Sequence, residues 1–125
     1  MKRLILESWL LLLYFEFVMR FGGLKQLSNV IRRQSVTSVS LGQVHSSMEL
    51  CRAVDFACVF YFKAVLCLQR SAATVLLLRR YGWDAEMVIG AQVVPFKSHA
   101  WVEVNGVVAN DKPYMSEIYR VLNRC

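Results

Sequence analysis

Near Gly82 the hydrophobic period of this chain changes from helical to alternating, and that switch limits what it can fold into. Upstream, "LCLQRSAATVLLLRRYG" repeats apolar residues through Ala72, Ala73, Leu76 and Leu77 at helical spacing. Arg79 and Arg80 fall in its last turn, where cations complement the helix dipole, and Gly82 follows as the stop. From Ala85 onward the period is two. "AEMVIGAQ", "HAWVEV" and "VVAND" read as three short strands, with Asn105-Gly106 as a turn. Helices followed by an antiparallel sheet make an α+β fold.

Other helices precede this one. "SSMELCRAVDFACVFYF" carries helical spacing and starts at Ser46-Ser47 with Glu49 behind it. A break between Lys63 and Leu66 divides it from the next helix, although no glycine or proline marks the place. A short helix is expected over Leu24 to Arg33, then a loop containing Gly42. "SEIYRVLNR" closes the chain as a short helix or an irregular tail. No linker or internal repeat divides the 125 residues. One domain is expected over residues 1–125, with a helical region over 1–45 and a core over 46–125.

The opening "MKRLILESWLLLLYFEFVMRF" has two basic residues and then an apolar run, as a signal peptide or a membrane span would. Glu7 and Glu16 interrupt that run, it falls short of the ~20 residues a span needs, and no small-residue cleavage site follows. It reads as a helix buried against the domain or a protein partner, with contact at a membrane surface as the alternative. Gly22-Gly23 stop it.

Composition narrows the function classes. The chain is 56% hydrophobic, enough for a dense core plus some apolar surface that meets a partner. Its 15 Lys and Arg against 9 Asp and Glu give a formal charge of +6, which favours acidic partners. The basic residues come as scattered pairs rather than a patch interleaved with aromatics, so nucleic acid is not the expected partner. Cysteines stand at 51, 58, 67 and 125 without C-x-x-C spacing, and there are only 2 histidines. A zinc site lacks its usual ligand pattern, and no metal or cofactor is expected. Without an export signal, reduced thiols in a cytoplasm are the expectation.

Three residues suit nucleophilic chemistry. A reacting cysteine needs a base to take its proton, and the base needs an acceptor on its other ring nitrogen. Cys67 falls at a helix start, where unpaired N–H groups favour a thiolate. His99 opens a strand and Asp111 ends the next. Each also has a plainer reading: a buried small hydrophobe, an edge histidine bonded to backbone, a turn former before Lys112-Pro113. Cys51 and Cys58 fit the buried role, His45 is a loop histidine and the only rival base, and Trp101 belongs to the core or a site wall.

The turn sets a geometric condition. A two-residue loop at Asn105-Gly106 would put Ala100, not His99, opposite Asp111, with the acid on the wrong face. A three-residue loop, Val104-Asn105-Gly106, with Gly106 in a left-handed bulge, shifts the register by one and aligns His99 with Asp111. The expectation is that bulged loop, or a bulge further along the strand.

The run from Cys67 to Pro113 also resembles a known family. Its features are Cys67-Leu68, Arg70-Ser71-Ala72, Leu77-x-Arg79-Arg80-x-Gly82, Val88-Ile89-Gly90, Phe96, His99-Ala100-Trp101-Val102-Glu103 and Asn110-Asp111. These are similar to the transglutaminase-like leader peptidases of lasso-peptide biosynthesis, of the microcin-processing type. The likeness covers roughly residues 51–113, and residues 1–45 share only a helical, apolar character.

The resemblance implies a transglutaminase/papain-like cysteine protease core with Cys67, His99 and Asp111 as the triad. It implies a bacterial cytoplasmic enzyme that removes the leader from a ribosomally made precursor peptide through a thioester. Oxyanion donors would be the Cys67 N–H and a side chain such as Gln43, with Gln69 a weaker candidate. The chain has no room for a fused recognition domain, so a separate leader-recognition protein is expected, with an ATP-dependent macrolactam cyclase acting on the product. The same core supports acyl transfer to amines, or peptide binding without catalysis, as alternatives.

Overall fold

The computed structural model describes residues 2–36, 45–93 and 95–125. Its elements run α1 (Lys2–Arg33), α2 (Ser47–Val59), α3 (Cys67–Arg80), β1 (Ala85–Gln92), β2 (Lys97–Val104), β3 (Val107–Val108), α4 (Met115–Ile118) and β4 (Arg120–Arg124). The four strands form one antiparallel sheet in the order β3-β2-β1-β4. This is the expected α+β arrangement. The loop expected around Gly42 lies outside the described residues.

α3 is the central element, packed between α1 and α2 on one side and β1 and β2 on the other. Residues 71–78 are all buried because neighbours cover the helix on both sides. It ends in a Schellman motif: Trp83 N–H donates to Leu78 O at 2.9 Å and Gly82 N–H to Arg79 O at 3.2 Å. Gly82 takes φ 89° there, a conformation that costs a residue with a Cβ.

Arg79 then ties the layers together. Its guanidinium donates to the carbonyls of Ala85 (2.8 Å), Ile31 (2.6 Å), Gln34 (3.0 Å) and Cys125 (2.9 Å). One planar fork thus holds the end of α1, the start of β1 and the end of the chain.

α1 is two helical pieces joined at Gly23, whose φ 66° and ψ −163° break the helix where the sequence placed its stop. Leu4, Leu12, Phe15, Leu27 and Ile31 face inward and join the core. The outward positions between Arg3 and Arg20 are Leu6, Leu10, Tyr14 and Phe17, all exposed, so this face of the helix carries no polar cover. No described helix is long and apolar enough to cross a membrane.

Two expectations for the C-terminal third need correction. The described residues form four strands rather than three: residues 120–124 are neither helix nor irregular tail but pair with β1. A single helical turn, Met115–Ile118, comes first. The alternation of burial along "RVLNR" carries that strand, but the run is too short to outweigh the helical residues before it. The third strand also stops at Val108 rather than reaching Asp111.

Candidate active site

The hairpin joining β2 to β3 settles which turn forms. Val104 pairs with Val107 and Glu103 with Val108, leaving Asn105 and Gly106 as a two-residue loop with φ 53° and 80°. Two successive positive φ values make a type I′ turn, so the expected three-residue bulged loop does not form. Asparagine tolerates the left-handed conformation well enough for the tighter turn to win.

Carried on unchanged, that register would set Asp111 opposite Ala100. The shift occurs further along instead. Ala109 N–H still donates to Val102 O at 2.8 Å, but Val102 N–H goes to the side chain of Asn110, at 2.8 Å from Oδ1. The backbone leaves the ladder at this point, and residues 110 and 111 exchange faces. Asn110 Nδ2 now reaches Ser71 Oγ on α3 at 3.4 Å, and Asp111 reaches His99.

His99 Nε2 and Asp111 Oδ2 lie 2.6 Å apart, and both side chains are largely buried, with 24% and 20% exposed. Burial pushes the Asp111 carboxyl up. Hydrogen bonds from His99 and the Lys112 N–H, with the charges of His99 and Arg70, outweigh it and hold the group below the usual carboxylate range. An ionised carboxylate only accepts, so the His99 nitrogen that faces it, Nε2, carries a proton, and no described residue bonds Nδ1.

Aromatic rings fix the imidazole from the other side. His99 lies 6.2 Å from Trp101 and 5.4 Å from Tyr119, with interplanar angles of 28° and 31°. Gly90 is the cross-strand partner of His99. A Cβ there would meet Trp101 Cη2 at 2.8 Å and Tyr119 Cβ at 2.8 Å, so only glycine lets the two rings close over the strand. Trp101 is itself held by donation from Nε1 to Glu103 Oε2 at 2.9 Å, and Arg124 donates to the other carboxylate oxygen at 2.9 Å.

Cys67 is the first residue of α3 and is half-buried. Leu66 at the N-cap supplies no side-chain hydrogen bond, in contrast to α2, where Ser46 Oγ accepts from Glu49 N–H at 3.1 Å. The first N–H groups of α3 are therefore left for another acceptor. One turn on, Ser71 Oγ donates to Ala100 O at 3.0 Å, which sets this end of α3 against the backbone next to His99. Arg70 Nη2 donates to Asn110 O at 2.9 Å, beside Asp111.

The structure thus pairs His99 with Asp111 and puts the Cys67 end of α3 against the same segments. Cys67 makes no hydrogen bond among the described residues. Alternation along β2 explains why. Val102 and Val104 join the core under α3, whereas His99, Trp101 and Glu103 point to the opposite face. No hydrogen bond joins the Cys67 thiol at the start of α3 to the His99 ring. A cavity of about 350 Å³ lined by Glu16, Met19, Arg20, Lys63, Leu66 and Gln69 adjoins that helix start.

The remaining candidates fall elsewhere. Gln69, only 2% exposed, donates to Leu12 O at 2.8 Å and to Glu16 and Tyr61, so its amide ties α3 to α1 and is not an oxyanion donor. Gln43 lies outside the described residues. His45 Nδ1 meets Glu49 at 3.0 Å at the start of α2, and the His45 carbonyl accepts from Trp83 Nε1 at 2.9 Å. Cys51 is buried in the core and Cys58 packs partly against it. Sequence reasoning named Asn110 and Gly90 only as parts of the family likeness and missed Tyr119, and the roles of all three rest on contacts that spacing along the chain does not encode.

Comparison with known proteins agrees with this architecture. The chain is 45% identical over 56 residues to the microcin J25-processing protein McjB of Escherichia coli. That match spans 45% of this chain and 27% of McjB, so the chain aligns with about a quarter of the relative's length. No solved structure matches it. The profile of the transglutaminase-like superfamily matches residues 11–124, nearly the whole chain, and this protein belongs to that superfamily.

Proposed function

We propose that this chain is a cysteine peptidase that removes the leader from a ribosomally made precursor of the lasso-peptide kind, with Cys67, His99 and Asp111 as its reacting set. The observation that carries the reading is the 2.6 Å His99–Asp111 pair, on a strand to which the cysteine-led helix α3 is bonded through Ser71 and Ala100. The likeness to a microcin-processing protein supports the substrate class.

In this reading Cys67 Sγ gives its proton to His99 Nδ1 and attacks the carbonyl carbon of the last leader residue. The tetrahedral oxyanion is held by N–H groups at the uncapped start of α3, that of Cys67 first. As the C–N bond breaks, the imidazolium returns its proton to the departing amine of the core peptide, leaving a thioester on Cys67. Asp111 holds the imidazole in the tautomer that makes this possible and offsets its positive charge. Water then attacks the thioester through the same base, which releases the leader as a carboxylic acid and restores the thiol. The freed amine is what a macrolactam cyclase joins to an acidic side chain. That the Cys67 thiol makes no hydrogen bond among the described residues accords with catalytic bonds that tighten only once substrate is bound.

A separate leader-recognition protein acting in the same cytoplasm completes the proposal. The uncovered apolar face of α1 supports a docked partner, and the +6 charge supports an acidic leader.

The test is incubation of the precursor with this protein, with and without the recognition protein, read by mass. Wild type should release core peptide, while Cys67→Ser and His99→Gln should lose about 10³-fold or more in rate. Transfer of the leader to an added amine in place of hydrolysis would make the enzyme an acyltransferase. Unimpaired cleavage by Cys67→Ser would end the reading.

A further inference from the structure

The hairpin turn and the His99–Asp111 pair are in conflict, and one side chain resolves it. With Val104 paired to Val107, residues 102 and 109 form a pair that should exchange both backbone hydrogen bonds. Only the bond from Ala109 N–H to Val102 O forms. The Val102 N–H is taken by Asn110 Oδ1 at 2.8 Å, in place of the carbonyl of Ala109. We infer that Asn110 is a positioning residue: by standing in for a backbone carbonyl, it detaches the chain from the sheet and turns Asp111 onto His99.

Two further bonds hold the detached segment, and each partner is itself anchored. Arg70 Nη2 donates to the backbone carbonyl of Asn110 at 2.9 Å, and the same guanidinium is anchored by Asp55 at 3.0 Å. Ser71 Oγ accepts from Asn110 Nδ2 at 3.4 Å while donating to Ala100 O at 3.0 Å. The first turns of α3, which follow Cys67 directly, therefore grip the residue before Asp111. A one-residue change of register moves every following side chain to the other face. Without the substitution by Asn110, the acid would lie across from Ala100, facing α3 and turned away from the imidazole.

Residue type matters at this position. The side chain must bring an acceptor to the Val102 N–H and a donor to Ser71, and asparagine supplies both. Alanine supplies neither. In Asn110→Ala the Ala109 carbonyl can recover the Val102 N–H, the ladder extends, and Asp111 swings away. Asn110→Asp keeps the acceptor oxygen.

The inference has two readouts, and only the second rests on the peptidase reading. The first is the His99 tautomer in long-range ¹⁵N–¹H spectra of the intact protein, assigned with His99→Gln. Wild type and Asn110→Asp should show the Nε2–H form as the single species. Asn110→Ala should show the mixed tautomers of an unconstrained ring, as Asp111→Asn should. The second is cleavage of the precursor, where Asn110→Ala should lose about 10²-fold in kcat with KM within about twofold, as misplacement without loss of substrate contacts predicts. Should Asn110→Ala prove unfolded by circular dichroism, Ser71→Ala, which loses one bond to the segment, should give a smaller shift in the same direction. A pure Nε2–H tautomer in folded Asn110→Ala would overturn the inference. A lost tautomer with no precursor cleavage by wild type would uphold it and remove the peptidase reading instead.

Discussion

Asp111 meets His99 at 2.6 Å even though the β2–β3 hairpin, taken alone, would put Ala100 in that place. The imidazole thereby has one nitrogen committed to the carboxylate, and its ring lies against Trp101 and Tyr119.

The four thiols should differ in reactivity. Burial is the main influence on Cys51, whose thiol is pushed up to about 11, and it raises Cys58 and Cys125 as well. Cys67 is half-buried at an uncapped helix start. Iodoacetamide at neutral pH, followed by peptide mass mapping, should label Cys67 first. Labelling of Cys51 ahead of it would contradict the packing described.

Acid should weaken the fold partly through Asp111. Its carboxyl is held below the ordinary carboxylate range, so the folded state binds fewer protons there than the unfolded chain. The contribution is complete above the unfolded value of about 4 and is lost as pH falls through the lower folded value. Urea midpoints from pH 6 down to pH 3 should fall less steeply for Asp111→Asn than for wild type. Parallel slopes would mean that the His99 pair stabilises nothing.

Gly90→Ala should disturb the site from behind. The new methyl would stand about 2.8 Å from the Trp101 ring and the Tyr119 Cβ, so at least one ring must move. A cost of about 1–3 kcal/mol is expected, with a change in the His99 ring resonances. Unchanged stability and spectra would show that the aromatic stack does not constrain the imidazole.

Arg79→Ala should act on the fold alone. Four carbonyls, those of Ile31, Gln34, Ala85 and Cys125, lose their common donor. About 3 kcal/mol and a Tm lower by roughly 10 °C are expected. A variant as stable as wild type would mean that solvent replaces the guanidinium at no cost.

What was legible in the sequence is what local pattern dictates. Helical spacing through Leu76 and Leu77, the Ser46 cap and the Gly82 stop located α2 and α3, because these signals lie within a few residues of the structure they cause. The switch at Ala85 located β1 to the residue. β4 was not legible, since five residues whose partner lies some thirty positions away have no local signal strong enough to declare a strand. The site divides in the same way. His99 and Asp111 are recognisable by type and family likeness, and the expected means of bringing them together is a bulged turn or a bulge further along the strand. It resides instead in the Asn110 side chain, and only the hydrogen-bond pattern of the folded hairpin reveals that.

The dependence of Cys67 on His99 tests the central claim most directly, and it needs neither substrate nor partner. The measurement is the rate of Cys67 alkylation between pH 5 and pH 9, followed by intact mass, in wild type and His99→Gln. If sulfur and imidazole work as one unit, the wild type should react at least about tenfold faster than the variant below pH 7. Superimposable profiles would mean that Cys67 and His99 do not share a proton, and the proposed chemistry would fail with them.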